Sequence, residues 1–240
     1  MRIKFIEPVL ETEDNKNSEE DLAYFRNCLS ADDYLEVEFI EEGYETLETV
    51  TDESFMVPDI IRKIIKAEKE GFDGVYINCA ADPGVFQAKE LVKIPVVGPL
   101  SCSILLSGFV GRNITIMSVS SVNRECEEYW IERTGLSSLV SNLRFPELTI
   151  MDFMDYKSSL EKTYKACRET VENDNCDVII LGCSTFFRMK TELENKLRQD
   201  NIHVQLVEPI KGSLKMLKIL IEMNLTGSFN GRISSHINEL

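Results

Sequence analysis

One stretch, Asp73-Gly-Val-Tyr-Ile-Asn-Cys-Ala-Ala-Asp-Pro-Gly84, restricts the fold of this chain more than any other. A short apolar run ends at Cys79, and the Asp82-Pro83 pair that follows reads as the start of a helix. The cysteine therefore belongs at the carboxyl end of a buried strand, close to a helix N-terminus. Asp177-Val-Ile-Ile-Leu-Gly-Cys183 repeats the design, again with six residues from the aspartate to the cysteine.

The rest of the chain alternates in the same way. Apolar runs at 2–6, 35–40, 74–78, 94–97, 113–119, 147–151, 177–181 and 203–207 read as strands. Between them lie stretches of helical period: Leu22/Phe25/Leu29, Ile60/Ile61/Ile64/Ile65, a short helix after Pro83, and 101–109. In the second half these are Val122/Cys126 with Tyr129/Trp130, Leu160/Tyr164/Cys167/Val171, Phe186/Met189/Leu193/Leu197 and Leu214/Leu217/Ile221. Glu41 to Asp52 is acidic, contains Gly43 and reads as a loop over the strand ends. Strands alternating with helices imply βαβ units and parallel sheets, so the fold class is α/β. The order strand–Cys79–helix–strand–Gly98-Pro99–helix matches strand–Cys183–helix–strand–Glu208-Pro209–helix. The expected architecture is two similar parallel-sheet halves, 1–100 with 208–240 and 101–207, related by a pseudo-two-fold axis with a cleft between them. Ligands of such sheets bind outside the carboxyl ends of the strands, which would bring Cys79 and Cys183 to opposite sides of that cleft.

Composition narrows the partners. A formal charge of −15 opposes binding to nucleic acid or to an anionic membrane surface, but leaves a small-molecule substrate open. Arg2, Lys4 and Glu7 interrupt the first ten residues, so they read as no export signal, and no apolar run approaches the ~20 residues of a membrane span. Seven scattered cysteines, an odd number, suit a reducing cytosol rather than a disulfide framework, so a cytoplasmic location is expected. Two histidines, His203 and His236, without CxxC or HxxxH spacing, give no zinc site. Nucleotide loops and a GxSxG elbow are also absent, so neither metal nor organic cofactor is expected. A homo-oligomer is the general prior for assembly.

A cysteine on a strand is by default a small buried hydrophobe, and Cys28, Cys126, Cys167 and Cys176 take that reading, as does Cys102 after Pro99. Cys79 and Cys183 depart from it by their equivalent placement. Inverting a carbon acid beside a carbonyl needs a base on one face and an acid on the other, with the enolate stabilised. A thiolate and a thiol, one from each half, supply that pair. The backbone N–H groups of Ala80, Ala81, Ser184 and Thr185, expected at helix starts, would bind a carboxylate or enolate oxygen and help lower the thiol pKa. Asp82 reads as a helix N-cap.

The sequence Asn78-Cys79-Ala80-Ala81-Asp82-Pro83-Gly84, with Ile94-Pro-Val-Val-Gly98 after it, resembles the first cysteine motif of hydantoin and allantoin racemases. Ile180-Leu-Gly-Cys-Ser-Thr185 resembles the second motif of the wider aspartate/glutamate racemase superfamily. The likeness spans nearly the whole chain. It implies a cofactor-independent racemase or epimerase of a small amino-acid derivative, hydantoin- or allantoin-like, or of an amino acid such as aspartate or glutamate, with Cys79 and Cys183 as acid–base groups and a substrate site lined by Ser118 and Ser120. Departures touch the substrate. Glu7-Pro8-Val9-Leu10 stands where many hydantoin racemases have Asn-Pro-Asn-Thr/Ser, leaving Pro8 as the shared member. Glu7 and Glu208 at strand ends would repel a di-anion such as aspartate unless Arg112, Arg124 or Arg188 offset them. Three other readings remain: a cis–trans isomerase or decarboxylase of a dicarboxylic acid using one cysteine, a non-catalytic binding protein, and a redox pair.

Overall fold

The two repeated aspartates are register pins. In the computed structural model, which describes residues 1–149, 152 and 155–227, Asp73 donates its N–H to Arg2 O and accepts the Arg2 N–H on Oδ2, both at 2.7 Å. Asp177 does the same at the other site. Its N–H donates to Asn113 O at 2.9 Å, and its Oδ2 accepts the Arg112 and Asn113 amides at 2.9 and 3.0 Å. Each aspartate hooks the start of its own strand to the start of the parallel neighbour. Six residues later, in both places, comes the cysteine.

The strands thus anchored form two four-stranded sheets. The first contains β1 (Arg2–Leu10), β2 (Tyr34–Ile40), β3 (Gly74–Ile77) and β4 (Val96–Val97), in the order β2-β1-β3-β4. The second contains β5 (Ile114–Met117), β6 (Val140–Arg144), β7 (Val178–Leu181) and β8 (Gln205–Val207), in the order β6-β5-β7-β8. All pairings are parallel, and the two orders are the same. The α/β class read from the alternating pattern is therefore the observed one. β3, β5 and β7 are buried along their whole length, and none of the three carries a charged residue.

Two compact units result: Met1–Pro99 with the segment beginning at Ser213, and Leu100–Gly212. In the first unit the helix Val50–Lys69 covers the sheet, and Met56, Ile60 and Ile64 join Ile6, Val75 and Ile77 in one core. In the second, Leu160, Tyr164 and Cys167 of the helix Tyr156–Asp174 and Leu193 and Leu197 of the helix Lys190–Gln199 pack with Ile179 and Leu181. None of the helices among the described residues is long and apolar enough to cross a membrane.

The structure corrects several expectations. β1 does not stop at Glu7-Pro8; it continues to Leu10, with a shift in its pairing to β2 between Glu7 and Leu10 that accommodates the missing proline N–H. The acidic loop after β2 is shorter than expected, because Thr49 and Asp52 form a reciprocal capping box and the helix begins at Val50. The second strand of the second sheet is Val140–Arg144 and not 147–151. Among the described residues it is an edge strand paired to β5 alone, so Ser141, Asn142 and Arg144 are compatible with it, and its polarity hid it. Glu147 adopts φ of 53°, a turn conformation, and Ile150 and Met151 lie outside the described residues. The helix expected from Val122 begins at Arg124. Val122 lies in a 3-10 turn and is 88% exposed, while Trp130 and Ile131 form the buried stripe.

Candidate active site

At the end of β3 the backbone is held tightly around the first cysteine. The Asn78 N–H donates to Ile6 O at 2.9 Å, and the Asp82 N–H donates back to Cys79 O at 3.0 Å, closing a turn over Ala80 and Ala81. The helix Val85–Leu91 starts only after this turn, with Gly84 in the left-handed region as its N-cap. Ala80 and Ala81 are therefore turn residues rather than the first turn of a helix, and Asp82, itself at φ of 50°, is not the N-cap. The Asp82 side chain instead lies against Gly98, where an added Cβ would stand 2.2 Å from Oδ1. Gly98 is thus a glycine by necessity. Cys79 is half-buried and is not part of a disulfide.

Glu7, one residue past the last pairing of β1 with β3, is buried next to this turn. Its two oxygens accept from Asn78 Nδ2 at 3.0 and 2.9 Å, and Oε1 also accepts from Asn17 Nδ2 at 2.9 Å. Tyr76 Oη donates to Asn78 Oδ1 at 3.1 Å. A carboxylate held by two amide groups thereby orients the residue immediately before Cys79. Pro8 is buried where the β1–β2 register shifts.

The second cysteine stands at the end of β7. The Gly182 N–H donates to Met117 O at 2.7 Å, and a Cβ at Gly182 would come within 3.0 Å of that same oxygen. The close approach brings the ends of β5 and β7 together. Cys183 occupies the N-cap position of a 3-10 helix, Ser184–Met189, which runs on into Lys190–Gln199. Ser184 and Thr185 are thus in a first helical turn, and the Thr185 hydroxyl lies 3.1 Å from Cys183 Sγ. Cys183 as a residue is partly exposed, yet burial of its sulfur pushes the thiol pKa up. Thr185 pulls it down, the Glu127 charge pushes it further up, and Arg188 pulls it down.

Ser118, fully buried at the end of β5, donates its hydroxyl to Glu127 on the helix Arg124–Arg133. Burial pushes the Glu127 carboxyl up to about 7, against the lowering effect of the Ser118 hydrogen bond. Ser120 contributes to a turn: its Oγ accepts the Val122 N–H at 3.4 Å and reaches Glu147 at 3.4 Å. Sequence reasoning misses Glu127. The signal that could have found it is its place three positions before buried Trp130 on one helical face.

The remaining charged candidates separate. Arg188 follows Cys183 and its charge reaches the thiol. Arg124 pairs with Glu128 at 3.4 Å and lies over the Phe145 ring. Arg112 is at the amino end of β5, bonded through its amide to Asp177, and so belongs to the opposite end of the sheet from Cys183. That amino end also holds a cavity of about 690 Å³ lined by Arg112, Asp177 and His203, remote from the carboxyl ends where α/β sheets bind ligands. Glu208 is a helix cap: its carboxylate accepts the Ile210 and Lys211 amides at 2.7 and 2.6 Å. Among the described residues no group of three or more His, Cys, Asp or Glu could hold a metal ion.

Two parallel sheets of one strand order, each with a half-buried cysteine just beyond its third strand, define the class: a duplicated α/β protein with equivalent thiols at its strand ends. A structure of allantoin racemase from Pseudomonas fluorescens superposes with a TM-score of 0.86 at 16% identity, covering 98% of this chain and 97% of that one. A variant of arylmalonate decarboxylase gives a TM-score of 0.62 at 15% identity, covering 92% and 94%. In sequence, the chain is 27% identical to the hydantoin racemase of Paenarthrobacter aurescens over 183 residues, 75% of each protein. Residues 24–217 match the profile of the Asp/Glu/hydantoin racemases, and the chain belongs to that family.

Proposed function

We propose that this chain is a cofactor-independent racemase or epimerase of a small amino-acid derivative, hydantoin- or allantoin-like, with Cys79 and Cys183 as its two acid–base groups. One observation carries the reading. Both cysteines are half-buried thiols, outside any disulfide, two residues past the end of the equivalent strand in sheets of identical order. In this mechanism one thiolate removes the proton from the stereocentre beside a carbonyl, and the other thiol returns a proton to the opposite face. Charge developing on the carbonyl oxygen is taken by backbone N–H groups at Ser184 and Thr185, while Pro8, Ala80, Ala81, Ser118 and Ser120 line the substrate. Two thiols suffice for this proton transfer. Seven cysteines outside any disulfide suit a cytoplasmic enzyme.

A ring of low charge fits better than a di-anion. Glu7 stands beside Cys79's turn and Glu127 beside Cys183, and a second substrate carboxylate would meet one of them. The names borne by the relatives point the same way. The test is loss of optical rotation, followed for single enantiomers of 5-substituted hydantoins, allantoin, aspartate and glutamate. Cyclic ureides should racemise and aspartate should not. Full racemisation by Cys79→Ala protein would overturn the reading. Release of carbon dioxide from a malonate, without racemisation of any substrate, would replace it with decarboxylation.

A further inference from the structure

Met117 of β5 pairs with Leu181 of β7, and just past these paired residues stand two polar pairs: Ser118 with Glu127 of the helix Arg124–Arg133, and Cys183 with Thr185, the Glu127 charge reaching the Cys183 thiol. The Gly182–Met117 hydrogen bond at 2.7 Å locks the two strand ends against each other, so the cluster has little freedom to spread. Ser118 is buried, and among the described residues it is the hydrogen-bond partner of the Glu127 carboxylate. A carboxylate drawn onto a buried hydroxyl beside a thiol has no structural need to be there. An alanine or leucine would fill the same face of a helix that already buries Trp130 and Ile131.

We infer that Glu127 is a positioning residue that sets the charge of Cys183: anchored by Ser118, its carboxylate keeps Cys183 in the thiol form and so makes it the proton donor of the resting enzyme. This rests on the reading of Cys183 as one of the acid–base pair. Like charges close together cannot both ionise cheaply, so the cluster carries one negative charge at a time. At rest the charge is on Glu127 and the proton is on Cys183. When the Cys183 S–H bond breaks and its proton goes to the substrate carbon, the sulfur keeps the electron pair. Glu127, whose carboxyl titrates near neutrality, then takes up a proton from water and relieves the repulsion. The sulfur is now the base for the opposite enantiomer.

The other groups around the sulfur do not remove this asymmetry. Thr185 and Arg188, on the turn that follows Cys183, both favour the thiolate, but burial and Glu127 oppose them and the thiol stays raised. On Glu127's own helix, Arg124 is engaged by Glu128. The only hydrogen bond that reaches Glu127 among the described residues comes from Ser118, an uncharged donor.

The experiment is a pH profile of alkylation by iodoacetamide on the full chain, with Cys79 and Cys183 followed separately by peptide mass spectrometry. Glu127→Gln should move the midpoint for Cys183 down by about one pH unit, a roughly tenfold gain in thiolate below the midpoint, and leave Cys79 where it was. Glu127→Ala should give the same shift, and Glu127→Asp, which keeps the charge, should restore most of the original profile. A Cys183 midpoint unmoved in both neutral variants would overturn the inference, as would an equal shift at Cys79. If one neutral variant fails to fold, the other together with Glu127→Asp still decides the matter. Alkylation needs no turnover, so the result is independent of whether any hydantoin is racemised.

Discussion

The two sheets carry their accessory carboxylates in different ways. Ile6 pairs with Ile77 and Met117 with Leu181, so Glu7 of the first sheet and Ser118 of the second occupy the same position, as do Asn78 and Gly182. In the first half the carboxylate is on the strand itself and is gripped by two amide side chains, Asn78 and Asn17. In the second half the strand offers only a hydroxyl, and the carboxylate comes from a helix. Amide donors on both oxygens fix a carboxylate in place. A single hydroxyl in a buried site leaves it able to exchange a proton near neutral pH. A duplicated scaffold can therefore hold two equivalent cysteines beside carboxylates that are gripped in different ways.

The largest effect that would break the comparison is at the cysteines. Cys79→Ala and Cys183→Ala should each lower racemisation by about 10²–10⁴-fold, the usual worth of a positioned acid or base. They should differ in what remains. Cys183→Ala keeps the base of the first half and should still exchange the α-proton of one enantiomer with deuterium oxide, a loss of protium visible by NMR. Equal and complete loss of exchange for both enantiomers in both variants would mean that the two sites do not act as separate proton carriers.

How much of this is legible in the sequence depends on where each signal lies. The repeated Asp-to-Cys spacing is readable because the aspartate pins the strand start and the strand length sets the rest, both properties of a contiguous segment. The pairing of Glu127 with Ser118 is not readable, because the two lie nine residues apart and the apolar pattern between them suggests the wrong helical phase. Of the expected stripe, Val122 and Tyr129 are exposed while Trp130 is buried, and Ile131 joins it. β6 escapes because an edge strand tolerates the polar residues that disqualify a central one. Asp82 misleads because Asp-Pro commonly starts a helix, whereas here a left-handed aspartate packs on Gly98 and leaves the cap to Gly84.

The sheets differ again at their edges, with a smaller effect. Lys4 on β1, almost wholly buried, forms ion pairs with Glu36 and Glu38 of β2, and Lys63 from the covering helix reaches Glu38 at 2.9 Å. The equivalent position in the second sheet is Thr115, paired with Asn142. Burial would raise the Glu38 carboxyl, but Lys4 and Lys63 outweigh it and hold it at about 2. A depressed carboxylate stabilises the fold above its unfolded pKa and loses that contribution as pH falls towards its folded one. The first unit should therefore weaken between about pH 4.5 and pH 2, and hydrogen exchange at pH 3 should open β1 and β2 before β5 and β6. Glu38→Gln, which leaves Lys4 to Glu36 and Lys63 to Glu41, should cost about 1–3 kcal/mol at pH 7 and flatten this acid dependence. Simultaneous opening of both sheets in acid would show that the ion pairs do not set the order.

The smallest expected difference tests the pins themselves. Asp177 accepts two backbone amides on its carboxylate and Asp73 accepts one, from Arg2. Both carboxylates are open to water, which weakens charged hydrogen bonds of this kind. Asp177→Ala should therefore lower the urea midpoint only modestly, and Asp73→Ala should lower it less, with the slope of the transition unchanged in both. Those donors also hold the Asp177 carboxyl below its usual range, so its contribution is present above the ordinary carboxylate pKa and fades as pH falls below it. If the aspartates serve only as turn residues, asparagine should replace either without loss, since it favours the same turns. If they are pins, the Asp177→Asn protein should lose the charge-dependent part, and its urea midpoint should fall less between neutral pH and acid than that of the parent. The spacing to the cysteine depends on that distinction, because a strand whose start can slip by one residue turns its next side chain to the other face of the sheet.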